Sequence, residues 1–159
     1  MRFMMLLMMA MGIWVQAGEV TLVYLVRHAE KVDSSDDAGL TEAGQARADK
    51  LATFFSRIPL AGVYATEYKR TQLTAAPVAK VAGQSVTVIG AREAGSLVKA
   101  VHAAKGKALF VAGHSNTVPQ LIEMLGGPEV HIDHADYDNL FLLMIHDDRA
   151  VLQNFRFTP

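Results

Sequence analysis

The chain contains no cysteine, which removes both a disulfide framework and thiol chemistry from consideration. Charge of one sign is also lacking: 15 Lys and Arg stand against 16 Asp and Glu, a formal net charge of −1. Without a bulk field the chain is not expected to take nucleic acid or an anionic membrane as a partner, and any bound anion must be held by a local cluster. There is no internal repeat, low-complexity tract or long linker. No apolar run reaches the ~20 residues that a membrane-crossing helix needs. The longest, Phe3 to Val15, has 13 residues and no charge.

That run has the setting of a targeting segment. Met1-Arg2 supplies a positive start, and Val15-Gln16-Ala17 offers small side chains at the −3 and −1 positions of a cut, the pattern of a secretory signal peptide. Residues 1–17 are therefore expected to be removed, and 18–159 to form one domain in the periplasm or outside the cell. Retention as an N-terminal anchor is the alternative. After cleavage no stable membrane insertion is expected. The 142 residues left are enough to bury a core without staples.

Beyond residue 18, short β-branched runs alternate with segments of helical period. The runs are Val20 to Val26, Gly62 to Ala65, Val86 to Ile89, Ala108 to Ala112, Leu140 to Ile145 and Val151 to Phe157. Ala48, Leu51, Ala52, Phe55 and Ile58 recur at steps of three and four, as on one face of a helix. This alternation predicts an α/β fold, a three-layer α/β/α sandwich with a mostly parallel central sheet. The last two runs, joined by His146-Asp147-Asp148-Arg149, predict an antiparallel hairpin at the sheet edge. Thr41 can cap the first helix, with Gly44 where a capping box would have Glu or Gln. Pro59, Gly83 and Gly126-Gly127-Pro128 mark helix ends, and Pro77 should kink the second helix or mark its true start.

Ligands of open α/β sheets bind at the carboxyl ends of the strands. Two polar clusters fall there: Arg27-His28-Ala29-Glu30 after the first run, and Gly113-His114-Ser115-Asn116-Thr117 after the fourth. A third, Thr66-Glu67-Tyr68-Lys69-Arg70-Thr71, follows the second run and opens a helix. Two histidines and two arginines at neighbouring strand ends point to a phosphate site. A neutral imidazole can attack phosphorus, and planar guanidinium groups match phosphate oxygens. The arginines' charge would also hold the nucleophile unprotonated.

Leu25-Val-Arg27-His28-Ala29-Glu30, Leu40-Thr41-Glu42-Ala43-Gly44, Tyr64-Ala-Thr66 through Arg70-Thr71-Gln-Leu-Thr74, and Gly113-His114-Ser115-Asn116-Thr117 resemble, in order, the histidine phosphatase superfamily, the phosphoglycerate mutase-like clan. The motifs span most of the chain after residue 18. The resemblance implies a phosphoric monoester hydrolase of the histidine acid phosphatase type acting on a small phosphorylated substrate without a cofactor or metal. His28 would be the phosphorylated nucleophile, with Arg27, Arg70 and His114 completing the phosphate pocket and Asn116 adding a contact. Glu93, after the third strand, is the candidate proton donor to the leaving group, with Glu30 second. Small phosphohistidine-specific members of similar size do without such an acid.

Two competing readings stand beside this one. Gly113-His114-Ser115-Asn116-Thr117 resembles a nucleophile elbow, which would make Ser115 the nucleophile of a serine hydrolase, but Thr117 occupies the position where that turn wants Gly. The same pocket without turnover would be a phospholigand-binding module. His131-Ile-Asp133-His134-Ala-Asp136 has metal-binding residue types but fits no established ligand spacing. Asp33 to Asp37 reads as a solvated turn or as a rim over the site, and Arg92 as a solvated charge.

Overall fold

The computed structural model describes residues 19–147 and 149–157, so the predicted signal segment lies outside the described residues. Six strands and four helices follow in the order β1 (Thr21–Arg27), α1 (Glu42–Phe55), β2 (Leu60–Ala65), α2 (Lys69–Val81), β3 (Val86–Val88), α3 (Ala94–Ala103), β4 (Ala108–Gly113), α4 (Thr117–Met124), β5 (Asn139–His146) and β6 (Arg149–Arg156).

The strands form one sheet in the order β3-β2-β4-β1-β5-β6. β3, β2, β4 and β1 run parallel, while β5 pairs antiparallel with β1 and forms the outer hairpin with β6. The expected mostly parallel sheet with an antiparallel edge hairpin is what the chain builds.

Both faces of the central strands are covered, which explains why β1 and β4 read as continuous apolar runs. Alternate residues of the two strands enter different cores. Val23, Leu25, Leu109 and Val111 pack with Val101 of α3 and Val118, Leu121 and Ile122 of α4. Val26, Ala108, Phe110 and Ala112 pack with Leu51 and Phe55 of α1 and Ala75, Val78 and Ala79 of α2. Two helices thus cover each face, giving three layers.

The helix ends carry local chemistry. Thr41 caps α1, its hydroxyl accepting from the Gly44 N–H at 3.0 Å. Gly44 itself lies against the Glu30 backbone, where a Cβ would collide with the carbonyl oxygen, so a capping-box glutamate has no room there. Gly83 and Gly126 take positive φ just past α2 and α4, as helix-terminating glycines do. Pro77 does not start α2, because the helix begins upstream at Lys69 and Pro77 sits in its interior. Burial of Ala75, Val78 and Ala79 on either side offsets the ~3 kcal/mol that an internal proline costs.

Candidate active site

β1 and β4 are neighbours in parallel register, Arg27 opposite Gly113, so the residues that follow them meet at one sheet edge. The His28 N–H donates to Gly113 O at 2.8 Å, fastening the two strand ends together. The next N–H, of Ala29, donates to the Thr74 hydroxyl of α2 at 2.9 Å. A histidine bounded by two such bonds has little freedom to shift.

His28 is 3% exposed and His114 8%, with ring centroids 5.4 Å apart. Burial pushes His28 down to about 3, and the nearby Arg27, His114 and Arg70 charges push the same way against the Ala29 carbonyl. His114 is pushed down to about 4, first by burial and then by Arg70, with Glu67 opposing. Both imidazoles are therefore neutral at pH 7. His28 Nδ1 lies 2.8 Å from Ala29 O. A carbonyl oxygen only accepts, so Nδ1 carries the proton and the Nε2 lone pair is bare.

Each arginine is held by a tyrosine and by backbone carbonyls. Arg27 stacks on Tyr137 at 4.2 Å and donates through Nη1 to Asp133 O at 3.0 Å and His134 O at 2.7 Å. Arg70 stacks on Tyr68 at 4.4 Å and donates through Nη1 to Asp36 O at 3.1 Å. The Nε of each arginine is buried and has no hydrogen-bond partner among the described residues. A buried donor left unpaired costs ~1–3 kcal/mol, so two of them on residues that share a cleft with His28 fit an oxyanion. His114 Nε2 is fixed at 2.9 Å by the Thr66 hydroxyl at the end of β2.

These residues line a cleft of about 690 Å³, together with Lys31, Glu67, Arg92, Ser115, Asn116, Gln120 and His134. Arg27, His28, Arg70, His114 and Asn116 thus converge as expected from sequence. Glu93 does not join them: it is absent from the cleft wall, and its carboxylate accepts the Gly90 N–H at 3.0 Å, stapling the turn before α3. Glu30 is held away too, in a 2.6 Å ion pair with the buried Arg47, which also donates to Phe157 O.

Several other expectations resolve in the geometry. Arg92 lines the cleft wall, although its sequence setting read as a solvated charge. The 33–37 loop reaches the site as a rim, since its Ser35 and Asp36 carbonyls receive Arg70. No hydrogen bond joins Ser115 to a histidine among the described residues, because His114 is committed to Thr66. In the 131–136 segment, His131 pairs with Asp133 at 3.0 Å and Asp136 with Arg156 at 2.6 Å. No group of three or more potential metal ligands is assembled among the described residues. Nothing in the sequence singles out Tyr137, Tyr68, Glu67 or Lys31 as site residues. Tyr68 and Glu67 lie within the motif that opens α2, whereas Tyr137 reaches Arg27 from 110 residues away.

A neutral imidazole shares a cleft at the carboxyl edge of a three-layer α/β sheet with two arginines that keep spare donors, a set of groups suited to an oxyanion. The chain matches the histidine phosphatase superfamily (branch 1) over residues 23–94, a stretch holding Arg27, His28 and Arg70, and it has the phosphoglycerate mutase-like fold. Similar solved structures include a phosphoserine phosphatase from Entamoeba histolytica (TM-score 0.68, 15% identity, covering 87% of this chain and 98% of that one). A mycobacterial glucosyl-3-phosphoglycerate phosphatase aligns with TM-score 0.66 and 13% identity over 87% and 99% of the two chains. A phosphoglycerate mutase from Bacillus anthracis aligns with TM-score 0.67 and 15% identity over 87% and 93%. No curated protein matches the chain by sequence.

Proposed function

We propose that the chain is an exported phosphomonoesterase that works through a covalent phosphohistidine on His28. The observation that carries this reading is the bare Nε2 of a neutral, buried His28 in one cleft with Arg27 and Arg70, whose Nε donors are unpaired. His28 Nε2 attacks phosphorus, a P–N bond forms, and the P–O bond to the leaving group breaks with its electron pair on that oxygen, which then takes a proton. Water attacks the phosphohistidine in the second step, the P–N bond breaks, and inorganic phosphate leaves with Nε2 bare again. Arg27, Arg70, His114 and the Asn116 turn hold the three phosphoryl oxygens, whose charge is the part of the transition state that donors stabilise most.

A substrate dianion also brings negative charge beside His114, which favours the imidazolium and turns that ring into a further donor. With Glu93 and Glu30 bound elsewhere, aryl and other good leaving groups should be released fastest. Export rests on the Met1 to Ala17 pattern, and N-terminal sequencing of periplasmic protein should return Gly18. The decisive test is trapping: wild type treated with an aryl phosphate should carry an acid-labile, base-stable phosphoryl group, and His28→Ala should carry none and release no phosphate. Undiminished turnover by His28→Ala would end the proposal.

A further inference from the structure

A chain of short contacts runs from His114, which lines the cleft, through Thr66 to Thr71, which lie behind it. Thr71 is fully buried in the first turn of α2. Its Oγ1 lies 2.7 Å from Tyr68 O and 3.1 Å from Thr66 O. Carbonyl oxygens bring no proton, and two oxygens 2.7 Å apart repel unless a proton lies between them. The single hydroxyl proton of Thr71 is therefore spent on the backbone. Thr71 Oγ1 is also 2.8 Å from Thr66 Oγ1, so the proton of that contact belongs to Thr66. Thr66 Oγ1 is in turn 2.9 Å from His114 Nε2. With both hydroxyl protons committed, the proton of this last contact comes from the ring.

We propose that Thr71 and Thr66 act together as positioning residues that hold His114 with its proton on Nε2 and its Nδ1 bare, so that an oxyanion bound in the cleft takes up one proton with it. The two histidines of the site are then opposite tautomers, since His28 carries its proton on Nδ1. His114 Nδ1 has no hydrogen bond to a described residue, which makes it the ring nitrogen left for a ligand. A bare nitrogen and a phosphoryl oxygen are both acceptors and cannot meet without a proton between them. Solvent or a monoprotonated ligand supplies that proton and the ring becomes imidazolium. One of its N–H groups then donates to Thr66 and the other to the oxyanion. Thr71 thus sets the proton count of the bound state without a hydrogen bond to either histidine. The tautomer stands on the contacts alone; the choice of an oxyanion as ligand rests on the phosphatase reading.

Two-bond nitrogen–proton correlation spectra of the histidine rings, taken on ligand-free protein at pH 8, show which nitrogen carries the proton. His114 should be protonated on Nε2 in wild type, in Thr66→Ser and in Thr71→Ser. In Thr71→Val it should be protonated on Nδ1, because the Thr66 hydroxyl is released to donate to Nε2. Calorimetry with tungstate, a dianion with no proton to give at this pH, is run in two buffers of different ionisation heat. Wild type and the serine variants should take up about one proton per tungstate, and Thr71→Val about one fewer. A wild-type ring protonated on Nδ1, or a Thr71→Val ring still protonated on Nε2, would overturn the tautomer assignment. Equal proton uptake by wild type and Thr71→Val would overturn its consequence for binding. The wild-type spectrum decides the tautomer even if Thr71→Val does not fold. Neither measurement needs turnover, so a protein that shows both results and forms no phosphohistidine loses only the catalytic reading. Failure of tungstate to bind would remove the oxyanion as ligand and with it the proton uptake.

Discussion

Two neutral histidines buried side by side should make the protein sensitive to mild acid. His28 is pushed down to about 3 and His114 to about 4, whereas each returns to about 6.5 when the chain unfolds. The unfolded state therefore binds more protons below pH 7, and stability must fall as pH falls. The contribution of each ring is whole above its unfolded pKa and is lost progressively as pH drops toward the folded value. At pH 7 an unfolded histidine is about a quarter protonated and at pH 5 almost wholly so, while both folded rings remain largely neutral. Integrated over that interval, each ring removes about 2 kcal/mol and the pair about 4 kcal/mol, a large part of the 5–15 kcal/mol that holds an ordinary domain together. Urea unfolding at pH 7 and pH 5 measures this. The relevant quantity is the difference between wild type and variants, because carboxylates such as Glu30 titrate in all of them alike. His28→Gln and His114→Gln should each lose about 2 kcal/mol less than wild type over the interval, and the double variant about 4 kcal/mol less. Wild type and double variant losing equal stability would refute the claim that these rings are buried neutral.

Arg70→Ala should weaken inhibition by vanadate about ten- to hundredfold, the loss of a charge-assisted hydrogen bond worth ~1.5–3 kcal/mol. Arg70→Lys should not restore it, because an ammonium reproduces neither the fork nor the stacking on Tyr68. Glu93→Gln should slow alkyl and aryl phosphates by the same small factor, since its carboxylate braces Gly90 and does not face the cleft. A selective loss on alkyl phosphates would return Glu93 to the role of general acid. Gly44→Ala should lower unfolding stability by about 1–3 kcal/mol, because the new methyl group meets the Glu30 carbonyl and the turn behind His28 must shift. An unchanged urea midpoint would show that this contact is not tight.

What the sequence made legible is what depends on chain-local direction. His28 and His114 each follow an apolar run within a residue or two, so strand position alone sends both to the same edge of a parallel sheet. Arg70 lies in a short motif that opens a helix at that edge. Side-chain aim is a different matter. Glu93 occupies the residue before α3, from which its carboxylate can turn to the cleft or back onto Gly90, and only the packed turn decides. Glu30 lies two residues after His28 in sequence, yet its carboxylate is taken up by the buried Arg47 of α1. Tyr137 supplies the surface on which Arg27 rests, and it comes from a loop whose composition carries no signal of that contact.

The strand order carries a consequence for how the cleft can assemble during synthesis. β1 and β2 are made first and are not neighbours, because β4 lies between them and pairs with both. Until β4 has been made, the first half of the chain has an unfilled slot in its sheet, and His28 lacks the Gly113 carbonyl that fastens its backbone. The β1–β4 pairings join residues 86 positions apart, so they form late and at the full cost of loop closure. A nascent or truncated chain ending before β4 would carry His28, Arg27 and Arg70 and still lack His114 and the cleft they share. Assembly of the cleft is thereby tied to completion of the sheet, and the same slot is an opening that a chaperone must cover or a second copy of β4 could invade.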